Sequence, residues 1–422
     1  MDHFAYRDGV LHAESVSMTR IAEAVGTPFY VYSSATLTRH LTVFTEAFAG
    51  LDALVCFATK ANGNKAVLNL LGKLGAGADV VSVGEMHHAI AAGIPVDRII
   101  FSGVGKTRDE LAAALTAGIF QINVESLPEL ESLSQVAVEM GVEAPVSIRV
   151  NPDVAADTHE KITTGRKENK FGIEWINAPA IYKRAQALPG IAVKGVAVHI
   201  GSQILDLAPF RATFQRLRDL ILQLRVEGIH LERVDLGGGL GVPYRRSDPS
   251  SPPPADYAAM VKEVLGDLGI KIVCEPGRLI AGNAGMLVSK VIYVKEGESR
   301  SFLILDAGMN DLVRPAMYEA FHDILPVDEP AADAENAPVD VVGPICETGD
   351  LFARQRLLPP IPADALVAFA TAGAYGAVMA STYNGRPLIP EVLVDGDRFA
   401  VVRRRPTLEE MTALESLPDW RC

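Results

Sequence analysis

The stretch Ala53-Leu54-Val55-Cys56-Phe57-Ala58-Thr59-Lys60-Ala61-Asn62 runs from an apolar segment of strand length directly into a lysine. Seven further runs of the same kind follow, at Asp79–Ser82, Arg98–Ser102, Ile119–Val124, Val146–Val150, Gly195–Ile200, Arg233–Leu236 and Lys271–Cys274. The stretches between them have helical period, at Lys65–Leu74, Gly84–Ala92, Arg108–Ala117, Leu127–Met140, Ile176–Leu188, Pro209–Glu227 and Tyr257–Leu268. Eight strands alternating with helices is the count of a (β/α)8 barrel of the TIM type, and this α/β class is the expected fold. An open doubly wound sheet is the rival, but it has no need of eight strands.

Working outward, the polar residues gather where such a barrel keeps its chemistry, at the C-terminal ends of the strands. Those ends carry Lys60, Asp79, Ser102, Asn123, Arg149 and Asn151, His199 and Ser202, the turn Gly237-Gly238-Gly239, and Glu275. After about Gly285 helices nearly vanish. Short runs at Met286–Val294, Ser301–Leu305, Val339–Val342, Leu366–Ala370, Glu391–Val394 and Phe399–Val402 predict a mostly antiparallel β domain, a barrel or sandwich. The expected division is residues 35–284 for the barrel and 285–422 for the β domain, with residues 1–34 adding a strand to the latter through Phe29-Tyr30-Val31-Tyr32. The acidic, proline-rich stretch 326–338 and the basic run within 157–170 read as solvated loops.

Composition narrows the class. A formal charge of −13 argues against nucleic acid or an anionic membrane as the main partner, since both favour basic surfaces. The uncharged stretch Ala365–Ser381 is short for a membrane span and is broken by Thr371, Gly373, Tyr375 and Gly376. No signal peptide is evident in Met1-Asp2-His3-Phe4. Four cysteines, Cys56, Cys274, Cys346 and Cys422, lack the paired spacing of a zinc site or disulfide framework, so the expected compartment is the cytoplasm.

Two glycine-rich segments imitate nucleotide motifs. Gly103-Val104-Gly105-Lys106-Thr107 has Ile100 where a phosphate loop needs its first glycine, and reads instead as a strand exit capping the next helix. Gly237-Gly238-Gly239-Leu240-Gly241 has Val242 where a dinucleotide fingerprint has glycine. Its bare backbone still suits close approach to an anion, or a tight strand-to-helix turn.

At a barrel mouth Lys60 would be partly desolvated, which favours the free amine that attacks an aldehyde. His199 offers a flat ring for stacking on an aromatic cofactor. Glu275 in Glu275-Pro276-Gly277-Arg278 could hold a proton on a pyridine nitrogen, or pair with Arg278. Ala58-Thr59-Lys60-Ala61-Asn62, His199-Ile200-Gly201-Ser202-Gln203, Gly237-Gly238-Gly239 and Glu275-Pro276-Gly277-Arg278 together resemble the fold-type III pyridoxal-phosphate decarboxylases, in that family's order and over nearly the whole chain. The resemblance implies pyridoxal phosphate bound to Lys60 as a Schiff base, His199 stacked on its ring and Glu275 at its nitrogen. It implies a phosphate held by Ser202, the Gly237–Gly239 turn, Gly277 and Tyr375. Phe57 departs from the tyrosine many members have there, with little expected consequence.

The segments Asp306–Tyr318 and Gly343–Asp350 resemble those of family members acting on meso-diaminopimelate. Arg278, Arg314 and Tyr318 would then meet the substrate's distal carboxylate, which suits an arginine fork, and Glu347 its distal ammonium, with Tyr375 a further substrate contact. Without that resemblance the lesser alternative for Arg314 is a surface ion pair with Asp311. Cys346 lies in a polar stretch unlike a core strand, and the resemblance makes it a proton donor reaching the partner's site across a homodimer. The expected reaction is decarboxylation at the D-centre to L-lysine. The alternatives are the same chemistry on ornithine, arginine or carboxynorspermidine, a silent cofactor-binding protein, or a racemase.

Overall fold

The computed structural model describes residues 2–154, 170–245, 247–248 and 250–421, so most of the basic run 157–170 and Cys422 lie outside the described residues. The chain divides into two compact units, Leu37–Ala281 and the pair of segments Met1–Thr36 and Gly282–Cys422.

In the first unit the eight strands are β1 (Ala53–Ala58), β2 (Gly77–Val80), β3 (Ile99–Phe101), β4 (Gln121–Val124), β5 (Ala144–Asn151), β6 (Ile191–Ala197), β7 (Arg233–Asp235) and β8 (Lys271–Cys274). Each pairs in parallel with the next, and β8 pairs with β1, so the sheet closes into a barrel. A two-residue strand, Ile173–Glu174, is added beside β5.

Local chemistry explains the alternation. Side chains at the helix starts satisfy the orphan N–H groups there: Asn64 accepts from Ala66, Ser82 from Glu85, Thr107 from Glu110 and Ser126 from Glu129. Thr107 and Glu110 form a reciprocal capping box, which is the role taken by the segment that imitates a phosphate loop. Gly118 and Gly141 end their helices in the left-handed conformation that favours glycine. Outside the strands, Phe44, Phe48, Phe210, Phe214 and Tyr257 pack at centroid distances of 5.3–6.3 Å and bind three helices together.

The second unit has a nine-stranded mixed sheet. Its long strand Gly285–Glu296 pairs antiparallel with Phe29–Ser33, Ser301–Leu305 and Leu366–Phe369. Two pairings are parallel, those of Ser301–Leu305 with Ala337–Val342 and of Phe29–Ser33 with Glu391–Asp395. A strand absent from the sequence reading, Leu351–Leu358, pairs with Ala337–Val342; Arg354 and Arg356 interrupt its apolar pattern. Residues 366–369 form a strand, and no helix among the described residues is long and apolar enough to cross a membrane.

Candidate active site

Lys60 leaves β1 in a single 3-10 turn, Thr59–Ala61, with its side chain 34% exposed and its amine 2.6 Å from the Asp79 carboxylate at the end of β2. Phe57, near the end of β1, is fully buried. Beyond β6, His199 Nδ1 accepts the Gly238 N–H at 3.2 Å, so that nitrogen carries a lone pair. Burial pushes the His199 imidazole well below its ordinary range, and the charges of Arg149 and Lys60 push it the same way. The ring is therefore neutral.

Two carboxyl groups sit behind these residues. Asp235, at the end of β7, is fully buried; its oxygens accept the Gly237 N–H at 3.0 Å and the Asn123 amide at 2.9 Å. Glu275, just past β8, is 6% exposed and shares a hydrogen bond with Asp235. Desolvation raises Glu275 well above the carboxylate range, with the charges of Asp235 and Asp79 adding to it, and desolvation raises Asp235 to about 6. Two such groups in contact hold a proton between them. The Glu275 Oε1 atom is buried without a hydrogen-bond partner, a cost that a ring N–H donor would remove. Glu275 thus pairs with Asp235, while the Arg278 guanidinium donates to Ser202 Oγ at 3.0 Å and to the Tyr244 hydroxyl.

The glycine turn admits no side chains. Gly237 is left-handed at φ +65°, and a Cβ on Gly238 would overlap the Glu275 carbonyl. A Cβ on Gly239 would come within 2.7 Å of the Gly201 carbonyl, and one on Gly277 within 3.0 Å of Ala58 and Ala61. These positions bring backbone, not side chains, to the rim.

In the β unit, Arg314 opens the one-turn helix Arg314–Tyr318 and is 6% exposed. Its guanidinium donates to the His322 ring at 2.8 Å, so it is no surface arginine. Tyr318 is half-buried, as is Tyr375, which takes a left-handed φ of 57°. Cys346 and Glu347 are exposed on a loop pinned by Asn384, which accepts the Cys346 N–H at 3.0 Å, and by Tyr383, whose hydroxyl donates to Glu347 at 2.5 Å. Asp350 ties this loop to the segment before Arg314. Its two carboxylate oxygens accept the N–H groups of Met309 at 2.7 Å and Ile345 at 2.6 Å.

The barrel rim thus unites Lys60, His199, Ser202, the glycine turn, Glu275, Gly277 and Arg278, and the β unit gathers Arg314, Tyr318, Cys346 and Glu347 around neighbouring loops. Sequence reasoning noted Asp79 and Asn123 only as strand ends and assigned nothing to Asp235 or His322. For Asp79 and Asp235 the available signal was an acidic residue inside an otherwise apolar strand.

A reachable amine, a neutral flat ring, a glycine cradle and a buried carboxyl with an oxygen left open fit pyridoxal phosphate, and mark an enzyme that works through it. The family model described as pyridoxal-dependent decarboxylase, pyridoxal binding domain, matches residues 34–282. The chain is 51% identical over 417 residues to the diaminopimelate decarboxylase of Pseudomonas aeruginosa, covering 99% of each protein. It is 49% identical to that of Haemophilus influenzae, covering 99% of this chain and 100% of the relative. The crystal structure of the Helicobacter pylori diaminopimelate decarboxylase complexed with L-lysine superposes with a TM-score of 0.89 at 40% identity, over 94% of this chain and 98% of that one. The chain belongs to the pyridoxal-dependent decarboxylase family, in its diaminopimelate decarboxylase branch.

Proposed function

We propose that the protein removes carbon dioxide from meso-2,6-diaminopimelate at its D-centre and releases L-lysine, the last step of lysine biosynthesis, as a cytoplasmic homodimer. When bound, pyridoxal phosphate supplies the electron sink that makes cleavage of the carbon–carboxylate bond feasible. Lys60 is the amine that carries it, with Asp79 orienting that amine. His199, buried and neutral, would lie against the ring and keep water from it. Glu275, backed by Asp235, holds a proton at the pyridine nitrogen. Ser202, the backbone of Gly237, Gly238, Gly239 and Gly277, and Tyr375 hold the phosphate.

The distal end of the substrate is a carboxylate and an ammonium. Arg314, Arg278 and Tyr318, with Tyr375, take the carboxylate, and Glu347 the ammonium. The observation that carries this choice is on the β unit: a buried arginine and an exposed carboxylate on loops joined through Asp350. Fixing both charges orients the D-centre for cleavage, where discrimination between amino acids arises. The partner's Cys346 then returns a proton to the α-carbon. Carbon dioxide release from meso-diaminopimelate, its LL isomer, L-ornithine and L-arginine at equal concentration tests the reading. Release from the meso compound alone is expected, and faster release from ornithine would overturn it. Mixing the inactive Lys60→Ala and Cys346→Ala proteins restores activity if dimers share their sites; a mixture that stays inactive removes that part.

A further inference from the structure

We propose that His322 is a positioning residue for Arg314, its neutral ring aiming the guanidinium at the substrate's distal carboxylate. This rests on the reading of Arg314 given above.

The donor and acceptor chemistry leaves one arrangement of the ring. A guanidinium only donates hydrogen bonds and a carbonyl only accepts them. Arg314 Nη1 lies 2.8 Å from His322 Nε2, and His322 Nδ1 lies 2.8 Å from the Ala370 carbonyl. Nε2 therefore carries the lone pair and Nδ1 the proton, and the imidazole is neutral. A buried arginine is usually steered by a carboxylate, which cancels its charge as it orients it. Contact with a neutral ring fixes direction without itself supplying a counter-charge.

The ring is itself held from several sides. His322 is 1% exposed. Its backbone carbonyl accepts from Arg356 Nη1 at 2.9 Å, and the Arg356 guanidinium lies 3.9 Å from the centre of the Phe321 ring. Ala370 donates its N–H to the Asp323 carbonyl at 2.9 Å, so the chain beside His322 is in register with the chain that bonds its ring. The left-handed Glu319, at φ 52°, ends the Arg314 helix and turns the chain, and His322 returns to Arg314 within eight residues. An anchored acceptor of this kind sets where a flexible side chain points, which is what a bidentate carboxylate contact needs.

Two amide variants separate positioning from packing. In His322→Asn the amide nitrogen stands near the place of Nδ1, keeping the donor to Ala370 and removing the acceptor for Arg314. In His322→Gln an amide oxygen reaches the place of Nε2. Inhibition of the holoenzyme by L-lysine, which retains the distal carboxylate, is compared with inhibition by cadaverine, which has two ammonium groups and no carboxylate. His322→Asn is expected to weaken L-lysine about tenfold or more, the range for losing a hydrogen bond to a charged group, and to raise KM for meso-diaminopimelate alike. Cadaverine inhibition and kcat stay near the parent values, and His322→Gln recovers most of the loss. Equal losses for lysine and cadaverine, equal losses in both variants, or no loss in either would overturn the proposal. Arg314→Met tells the two failures apart. If it leaves L-lysine affinity unchanged, the reading of Arg314 is wrong; if it weakens lysine while His322→Asn does not, only the role of His322 is.

Discussion

Lys60 and Lys106 both follow barrel strands, β1 and β3, but the chain surrounds them in opposite ways. The Lys60 side chain is 34% exposed and meets Asp79 at 2.6 Å; that of Lys106 is 1% exposed. Lys106 Nζ donates to the Gly103 carbonyl at 2.6 Å, the Asn123 carbonyl at 2.8 Å and Glu129 at 2.6 Å, one acceptor for each proton of an ammonium. The network continues through Glu129, which accepts the Glu125 N–H at 2.9 Å, to Glu125, which pairs with Arg149 at 2.8 Å. Burial raises Glu129, and the Lys106 charge opposes that rise. A lysine saturated in this way holds strands together and has nothing left for a reactant. Reactivity at a barrel rim therefore belongs to the more exposed amine, not to the most deeply buried one.

The comparison breaks if the two lysines can exchange roles. Lys60→Ala is expected to lower kcat by roughly 10⁴-fold or more, as for loss of a residue that bonds covalently in turnover. Borohydride reduction and peptide mapping then place the pyridoxyl group on Lys60 in the parent protein; an adduct on Lys106 would overturn this assignment. The next effect is on stability. Lys106→Met leaves Glu129 buried without its cation and costs about 3–5 kcal/mol, read from urea unfolding. Turnover per folded molecule is retained. Adding Glu129→Leu recovers much of that loss, because the uncompensated charge goes with it.

The smallest effect concerns pH. His199 is pushed below its ordinary value in the folded state, so below about pH 6.5 the unfolded chain binds a proton that the folded chain refuses. Stability contributed by this group is complete above that pH and falls as pH drops, by up to about 1.4 kcal/mol per pH unit. His199→Gln cannot titrate, so the stability gap between parent and variant shifts by about 2 kcal/mol between pH 8 and pH 5. A gap that is constant with pH would mean that the ring takes up its proton normally in the fold.

Much of this was legible in the chain because barrels repeat a local grammar. An apolar run, a polar strand end and a capping residue mark each unit, and every β strand of the barrel overlaps the run expected for it. Lys60, His199 and Glu275 stood out because they depart from that grammar at its ends. Asp235 did not, since the partner that explains it, Asn123, is 112 residues away in sequence and meets it only once the barrel has closed. Arg314 could be read as a surface ion pair until the structure placed it against His322, a contact across the left-handed turn at Glu319 that no periodicity announces. The Leu351–Leu358 strand escaped because its apolar run is broken by two arginines.

Asp350 spends both carboxylate oxygens on amides from two different loops. Neither amide proton can leave for solvent unless that one carboxylate lets go. In deuterium exchange Met309 and Ile345 are therefore expected to lose protection together when Asp350 is replaced by alanine. A ligand that touches only the arginine side would be sensed, through this single acid, on the loop that carries the cysteine.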